Sequence, residues 1–395
     1  MIIYSPYIKE YSSNKIRLCC DFETQGETKT LWYEVDKQWE DYLVTEQSDA
    51  FVVGLLVLAL KNGEDIIVQG NMSRRLFYGI ANYVVPSLID ANLFEKKINI
   101  ECQNLSLIHF QRSNTNATGI SCGIDSLSTY LNNEMISETL KIDILTFFNV
   151  GSNGDYGGEN ARKLFNYRVK EVHKFCDFVK KSLMSVDSNL SELLTINFAA
   201  TATLRNISVV LCLQKLFSNY YYASGVKYDI FMLSSQFMGY YDLLVLHGLS
   251  TETTQFYSSM THLTREERTE LVGSYHDLTS SFLDVCVSLQ PEKSVKNCSK
   301  CYKCMMTQVT LEVNGMLDNF NNVFNLQVYK ENKTKFIGLI LFKRNTSKVY
   351  LNLYNYLKLK GFKFKFIHHY SKYHHSFLER KKKIKKSLST RQKLN

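Results

Sequence analysis

The stretch Gly119-Ile120-Ser121-Cys122-Gly123-Ile124-Asp125-Ser126 constrains the chain more than any other. A polar run without an apolar period, Gln111 to Thr118, precedes it. Leu127-Ser128-Thr129-Tyr130-Leu131 follows as the opening turns of a helix, and Ile142 to Val150 reads as a buried strand. Strand, small-residue loop, helix and strand make a βαβ unit, which sets a helix N-terminus beneath an anion. Gly123 can take a positive φ, and small neighbours let backbone N–H groups approach a phosphate. Ser121 and Ser126 add hydroxyls, and Asp125 can hold Mg²⁺ beside the phosphates. The same residues also make an ordinary strand–helix turn capped by Asp125 or Ser126.

Ser121-Cys122-Gly123-Ile124-Asp125-Ser126 resembles the Ser-Gly-Gly-x-Asp-Ser signature of the PP-loop ATP pyrophosphatases, with Cys122 in place of the first glycine. Further matches come in the same chain order. Arg205-Asn206, opening a helix expected over Ala202 to about Tyr220, resembles a pair in the 7-cyano-7-deazaguanine synthases, zinc-containing members of that superfamily. The segment Tyr220 to Asp229, with Gly225, resembles the family strand against which adenosine packs. Arg265 stands where the family often has the lysine of a Leu-x-Lys motif; a solvated helix start explains it equally well. The likeness covers roughly residues 117 to 315.

The resemblance implies a doubly wound parallel α/β sheet that binds ATP with Mg²⁺. The implied reaction adenylylates a carboxylate or amide oxygen, releases pyrophosphate and lets a nitrogen nucleophile displace AMP. It makes Ser121, Cys122, Gly123, Asp125, Ser126, Asn206 and Gly225 nucleotide-site residues, and Asp125, Arg205 and Arg265 catalytic ones. Two rivals stand beside it. One is a PP-loop sulfurtransferase acting on tRNA, and the other is a non-catalytic nucleotide- or peptide-binding scaffold with a degraded loop.

Cys298-x2-Cys301-x2-Cys304 is the most specific local signal, and Cys286 supplies a fourth thiolate upstream. Four thiolates around Zn²⁺ make a closed tetrahedral structural site. Lys296, Lys300 and Lys303 offset its negative charge, and Asn297 favours the turn that begins the knuckle. Buried thiols, an iron–sulfur cluster and an exposed sulfur-carrying pair are the other readings. The deazaguanine synthases carry a zinc site of the same order with a shorter first gap.

A chain of 395 residues suffices for several structural units. The expected division is an N-terminal α+β module over 1–105, an ATP-binding domain over 106–285, a zinc-bound helical segment over 286–325 and a basic extension over 326–395. Within the second, Ala161 to Met184 is expected as one long amphipathic helix, and the glycine-rich loop Gly151 to Gly158 either faces the nucleotide or makes a flexible surface turn. No apolar run reaches membrane-spanning length, and Met1 to Pro6 lacks the segments of a signal peptide. With ten cysteines, several at metal-ligand spacing, these features lead us to expect a reducing cytoplasm.

The formal net charge of +9 is unevenly distributed. From Lys330 onward stand nineteen Lys/Arg against two Glu, which leaves the rest of the chain at about −8. In that tail, Gly361 to Ile367 alternates as an edge strand would. The partners expected are a small-molecule or peptide acceptor bearing a carboxylate and, for the tail, RNA, an acidic partner or a membrane surface. A solvated tail without a ligand, and an oligomer, are equally compatible with the sequence.

Overall fold

The computed structural model describes residues 1–110, 113–287 and 295–372. They form two compact units. The first comprises Met1–Ser121 and Asp125–His262, the second Cys122–Ile124 and the chain from Leu263.

All strands described in the first unit join one sheet. They are β1 (Ile2–Ile3), β2 (Tyr7–Ser12), β3 (Lys15–Thr24), β4 (Glu27–Asp36), β5 (Ile66–Ser73), β6 (Ile100–Ser106), β7 (Thr115–Gly119), β8 (Ile144–Asn149), β9 (Ser182–Ser188), β10 (Phe217–Ala223) and β11 (Gln255–Ser259). Their order is β11-β10-β7-β8-β9-β4-β3-β1-β5-β6, with β2 added alongside β3. The block β11-β10-β7-β8-β9 is parallel throughout. β9 to β4, β4 to β3 and β3 to β1 are antiparallel, and β1, β5 and β6 are again parallel. The boundary expected at residue 105 falls within β6, which belongs to the same sheet as β7.

Helices of this unit are α1 (Asp49–Asn62), α2 (Arg74–Gly79), α3 (Val85–Asp90), α4 (Ile124–Ile136), α5 (Glu159–Phe178), α6 (Leu190–Leu194), α7 (Ala202–Leu211) and α8 (Asp242–Leu249). α1 is apolar on every side and buried from Asp49 to Leu60, as such a helix must be. It ends at Gly63, whose φ of 67° is the left-handed conformation of a helix stop. In β8 alternate side chains serve opposite faces. Phe147 stacks on Phe165 of α5 at 5.7 Å, and Tyr130 of α4 meets Phe175 of α5 at 5.5 Å. Ile144 and Phe148 instead join the core shared with α1, α7 and α8. Helices therefore cover both faces of the parallel block.

Two expected helices are shorter than their periodicity suggests. α5 stops at Phe178, Lys180 turns with φ 56°, and β9 has already begun at Ser182. α7 stops at Leu211, before β10.

The second unit is helical, with α9 (Arg265–Ser274), α10 (His276–Thr279), α11 (Tyr302–Val313), α12 (Leu326–Lys343) and α13 (Lys348–Leu359). Thr264 and Glu267 close a capping box at the start of α9. Gly361 to Ile367 makes no edge strand, because residues 366–372 are helical and Phe362 and Phe364 pack on each other at 5.1 Å. The lysine cluster beyond Arg380 lies outside the described residues.

Candidate functional site

In chain order the parallel block reads fifth, fourth, first, second, third strand, so its order reverses between β7 and β10. In open parallel sheets ligands bind outside the carboxyl ends of the strands at such a switch. The chain leaves the carboxyl end of β7 at Gly119 and enters α4 at Ile124, so Ser121 to Ser126 occupies this position. Ile120 N–H donates to Thr146 O at 2.8 Å, which fixes the loop's start against β8. Ser126 Oγ accepts from Ser121 N–H at 3.2 Å and lies 3.3 Å from Ser121 Oγ. Cys122 takes φ 56°, the conformation a glycine would adopt without strain, and its side chain is buried.

Asp125 lies in the first turn of α4. A Cβ added to Gly225, just beyond β10, would sit 3.9 Å from Asp125 Oδ2. The switch therefore brings Ser121, Asp125, Ser126 and Gly225 together from two crossover connections. Ser224 Oγ pairs with Ser258 Oγ, which also meets Asp242 Oδ1 at 3.1 Å. The ends of β10 and β11 thus add further hydroxyls that the sequence reading did not single out.

Arg205 and Asn206 serve other partners. Arg205 is fully buried; its Nε donates to Thr201 Oγ1 at 2.8 Å, and its Nη2 to Ile196 O at 2.6 Å. Its Nη1 reaches Val150 O, Asp155 O and Ser191 Oγ at 3.1–3.2 Å. Burial lowers its pKa to about 10, against the opposing charge of Asp155. These bonds order the glycine-rich loop after β8, where a Cβ on Gly151 would meet Phe198 Cδ2 at 2.5 Å. Asn206 Nδ2 donates back to Ala202 O at 2.8 Å. Arg265 stands half-buried in the first turn of α9 in the second unit.

Sequence reasoning also missed the ends of β8 and β9. Asn149 Nδ2 donates to Asp187 Oδ1 at 2.7 Å, and Arg162 Nε donates to Asp187 Oδ2 at 3.1 Å. Arg162 also pairs with Glu192 at 2.6 Å. A buried asparagine closing the apolar run Phe147-Phe148-Asn149 was the available signal.

In the second unit Cys286, Cys298, Cys301 and Cys304 converge, with all four sulfurs within 4.8 Å of one another. Cys298 and Cys304 Sγ are 3.9 Å apart, and Cys301 and Cys304 Sγ 3.4 Å. Four thiolates at about 2.3 Å from one Zn²⁺ would stand about 3.8 Å apart, so the set could hold a metal ion such as zinc. Backbone N–H groups already point at sulfur: Cys298 N donates to Cys286 Sγ at 3.4 Å and Cys301 N to Cys298 Sγ at 3.3 Å. The contact between the Cys301 and Cys304 sulfurs holds Cys301 down at about 4 and pushes Cys304 far up. Cys301 caps α11 and Cys304 lies in its first turn.

The two arms are braced by one fully buried side chain, Asn297. Its Oδ1 accepts from Val285 N–H at 2.8 Å, and its Nδ2 donates to Leu283 O at 2.8 Å and Val323 O at 3.1 Å. Ser299 turns with φ 60°, and Gln308 Nε2 donates to Ser299 O and Cys304 O at 3.0 and 3.1 Å. No helix among the described residues is long and apolar enough to cross a membrane. No family model, no curated protein and no solved structure matches the chain.

Proposed function

We propose that the chain is an ATP-dependent ligase of the PP-loop type, activating a carboxylate or amide oxygen as an adenylate for attack by a nitrogen nucleophile. One observation carries the reading: the Ser121–Ser126 loop opens a helix at the carboxyl end of β7, where strand order reverses, with Asp125 beside Gly225. The residues fit a nucleotide with its metal. Two neighbouring hydroxyls and a helix N-terminus suit pyrophosphate, and a carboxylate beside them suits Mg²⁺. Gly225 leaves room for the nucleotide along β10.

In this reading Ser121, Gly123 and Ser126 hold the pyrophosphate end of ATP, Cys122 shapes the turn, and Asp125 holds Mg²⁺. When bound, the metal neutralises charge that builds on the phosphates. Arg205 positions the loop after β8 through its carbonyl contacts. The protein works by orientation and charge neutralisation. The four cysteines hold a structural Zn²⁺, which leaves them closed to sulfur transfer.

The test is ATP–pyrophosphate exchange by the purified protein with a panel of carboxylates, beside an Asp125→Ala control. The expected result is exchange with at least one acid, reduced about 10²-fold or more in the control. Exchange unaffected by Asp125→Ala would overturn the assignment.

A further inference from the structure

From Leu326 to Lys372 the chain carries ten lysines and one arginine against a single carboxylate, Glu331. The apolar stripes here are already covered: Phe336, Ile337, Ile340 and Leu341 of α12 and Leu353, Tyr356 and Leu357 of α13 are buried. Lys333 pairs with Glu312 at 2.6 Å and Lys360 with Glu270 at 2.5 Å. Lys330, Lys335, Lys348, Lys358, Lys363 and Lys365 are exposed.

Rings are interleaved with the cations. Arg344 lies 4.4 Å over the Tyr354 ring, and Tyr354 meets Phe364 at 5.1 Å. Phe364 continues to Phe362, which stacks on His368 at 5.9 Å. Next to this row, Phe366 and Tyr370 are 86% and 70% exposed. They stand four residues apart in the helical segment 366–372 and so share a face.

We propose that this face of the second unit binds a single-stranded nucleic acid. Exposed lysines would neutralise successive phosphates, while Phe366 and Tyr370 offer π faces to unpaired bases. The bias of ten lysines to one arginine suits sequence-tolerant phosphate contact rather than bidentate reading of base edges. The stripes of α12 and α13 are buried and offer nothing to a membrane, while the exposed Leu359, Phe366 and Ile367 make vesicle binding an outcome that the test must separate. An acidic protein would satisfy the lysines and leave the two exposed rings without a role. The inference is independent of the nucleotide reading.

The experiment is fluorescence anisotropy with the full chain and a labelled mixed-sequence RNA of about twenty nucleotides, single-stranded or annealed to its complement. Salt is varied between about 50 and 200 mM. The single strand is expected to bind more tightly than the duplex. K358E/K363E/K365E should weaken binding at low salt at least about tenfold and lower the salt slope by about 2. F366A/Y370A should weaken it at least about tenfold with the slope unchanged. Lys348→Gln, at the first residue of α13, should lower the slope by about 0.7 and serves if the triple variant misfolds. Four results overturn the proposal: no binding by the wild-type chain, wild-type affinity in the charge and ring variants, preference for the duplex, or tighter binding to phosphatidylserine vesicles or polyglutamate.

Discussion

Replacing Asn297 by alanine tests whether the cysteine cluster is built as a metal site. Asn297 makes three side-chain hydrogen bonds with no solvent exposure. Val323 O keeps a partner after the change, because Asn297 N–H also donates to it at 3.0 Å. Val285 N–H and Leu283 O lose theirs, and a buried polar group left without its bond costs about 1–3 kcal/mol. The expected loss is therefore about 3 kcal/mol, and it falls on the segment that carries Cys286. About 1.4 kcal/mol is a factor of ten in affinity, so zinc should bind about 10–100-fold more weakly. Competition with a chromophoric chelator measures the affinity, and urea unfolding with and without metal measures the stability. A variant that binds zinc as tightly and unfolds at the same urea concentration would refute the bracing role.

Other consequences can be checked separately. Asp49 is fully buried and burial raises its carboxyl to about 7, so the folded state favours the protonated form. Its stabilising effect is complete below the unfolded pKa near 4 and is lost as pH rises through 7, by up to about 4 kcal/mol. Asp49→Asn should flatten that decline in unfolding experiments between about pH 4 and 7, the span the shift covers. A Cβ on Gly79 would lie 1.9 Å from Gly248 O, so Gly79→Ala should destabilise the first unit by about 3 kcal/mol or more in urea. Cys122→Gly relieves a left-handed residue at the cost of a buried side chain, and unfolding should show a change within about 1 kcal/mol.

The sequence was most readable where chemistry forces a fixed spacing. Two-residue gaps between Cys298, Cys301 and Cys304 define a knuckle at any level of fold knowledge, and the four sulfurs converge. The role of Asn297 was hidden, because its partners Leu283, Val285 and Val323 are distant in sequence or on the other arm. β8 was plain as an apolar run, whereas the buried strand β7 is Thr-Asn-Ala-Thr-Gly and carries no apolar period. It survives burial because its polar side chains are matched: Thr118 Oγ1 donates to Tyr221 O at 2.6 Å, and Asn116 Nδ2 to Thr139 O at 2.9 Å. Helix ends were overrun at Phe178 and Leu211, since amphipathic spacing continues into the turn and only the backbone at Lys180 shows the stop. The joining of β4 to β9, through Tyr33 opposite Ser188, is a long-range pairing that no local pattern announces. Alternation in Gly361 to Ile367 reflects rings packing on Tyr354 and His368 rather than a strand.

The most direct test of the central claim is calorimetric titration of the purified chain with ATP and Mg²⁺, repeated with Asp125→Ala. The account predicts one ATP per chain, and binding about tenfold or more weaker when the carboxylate is removed. No heat and no binding by the wild-type protein would contradict it.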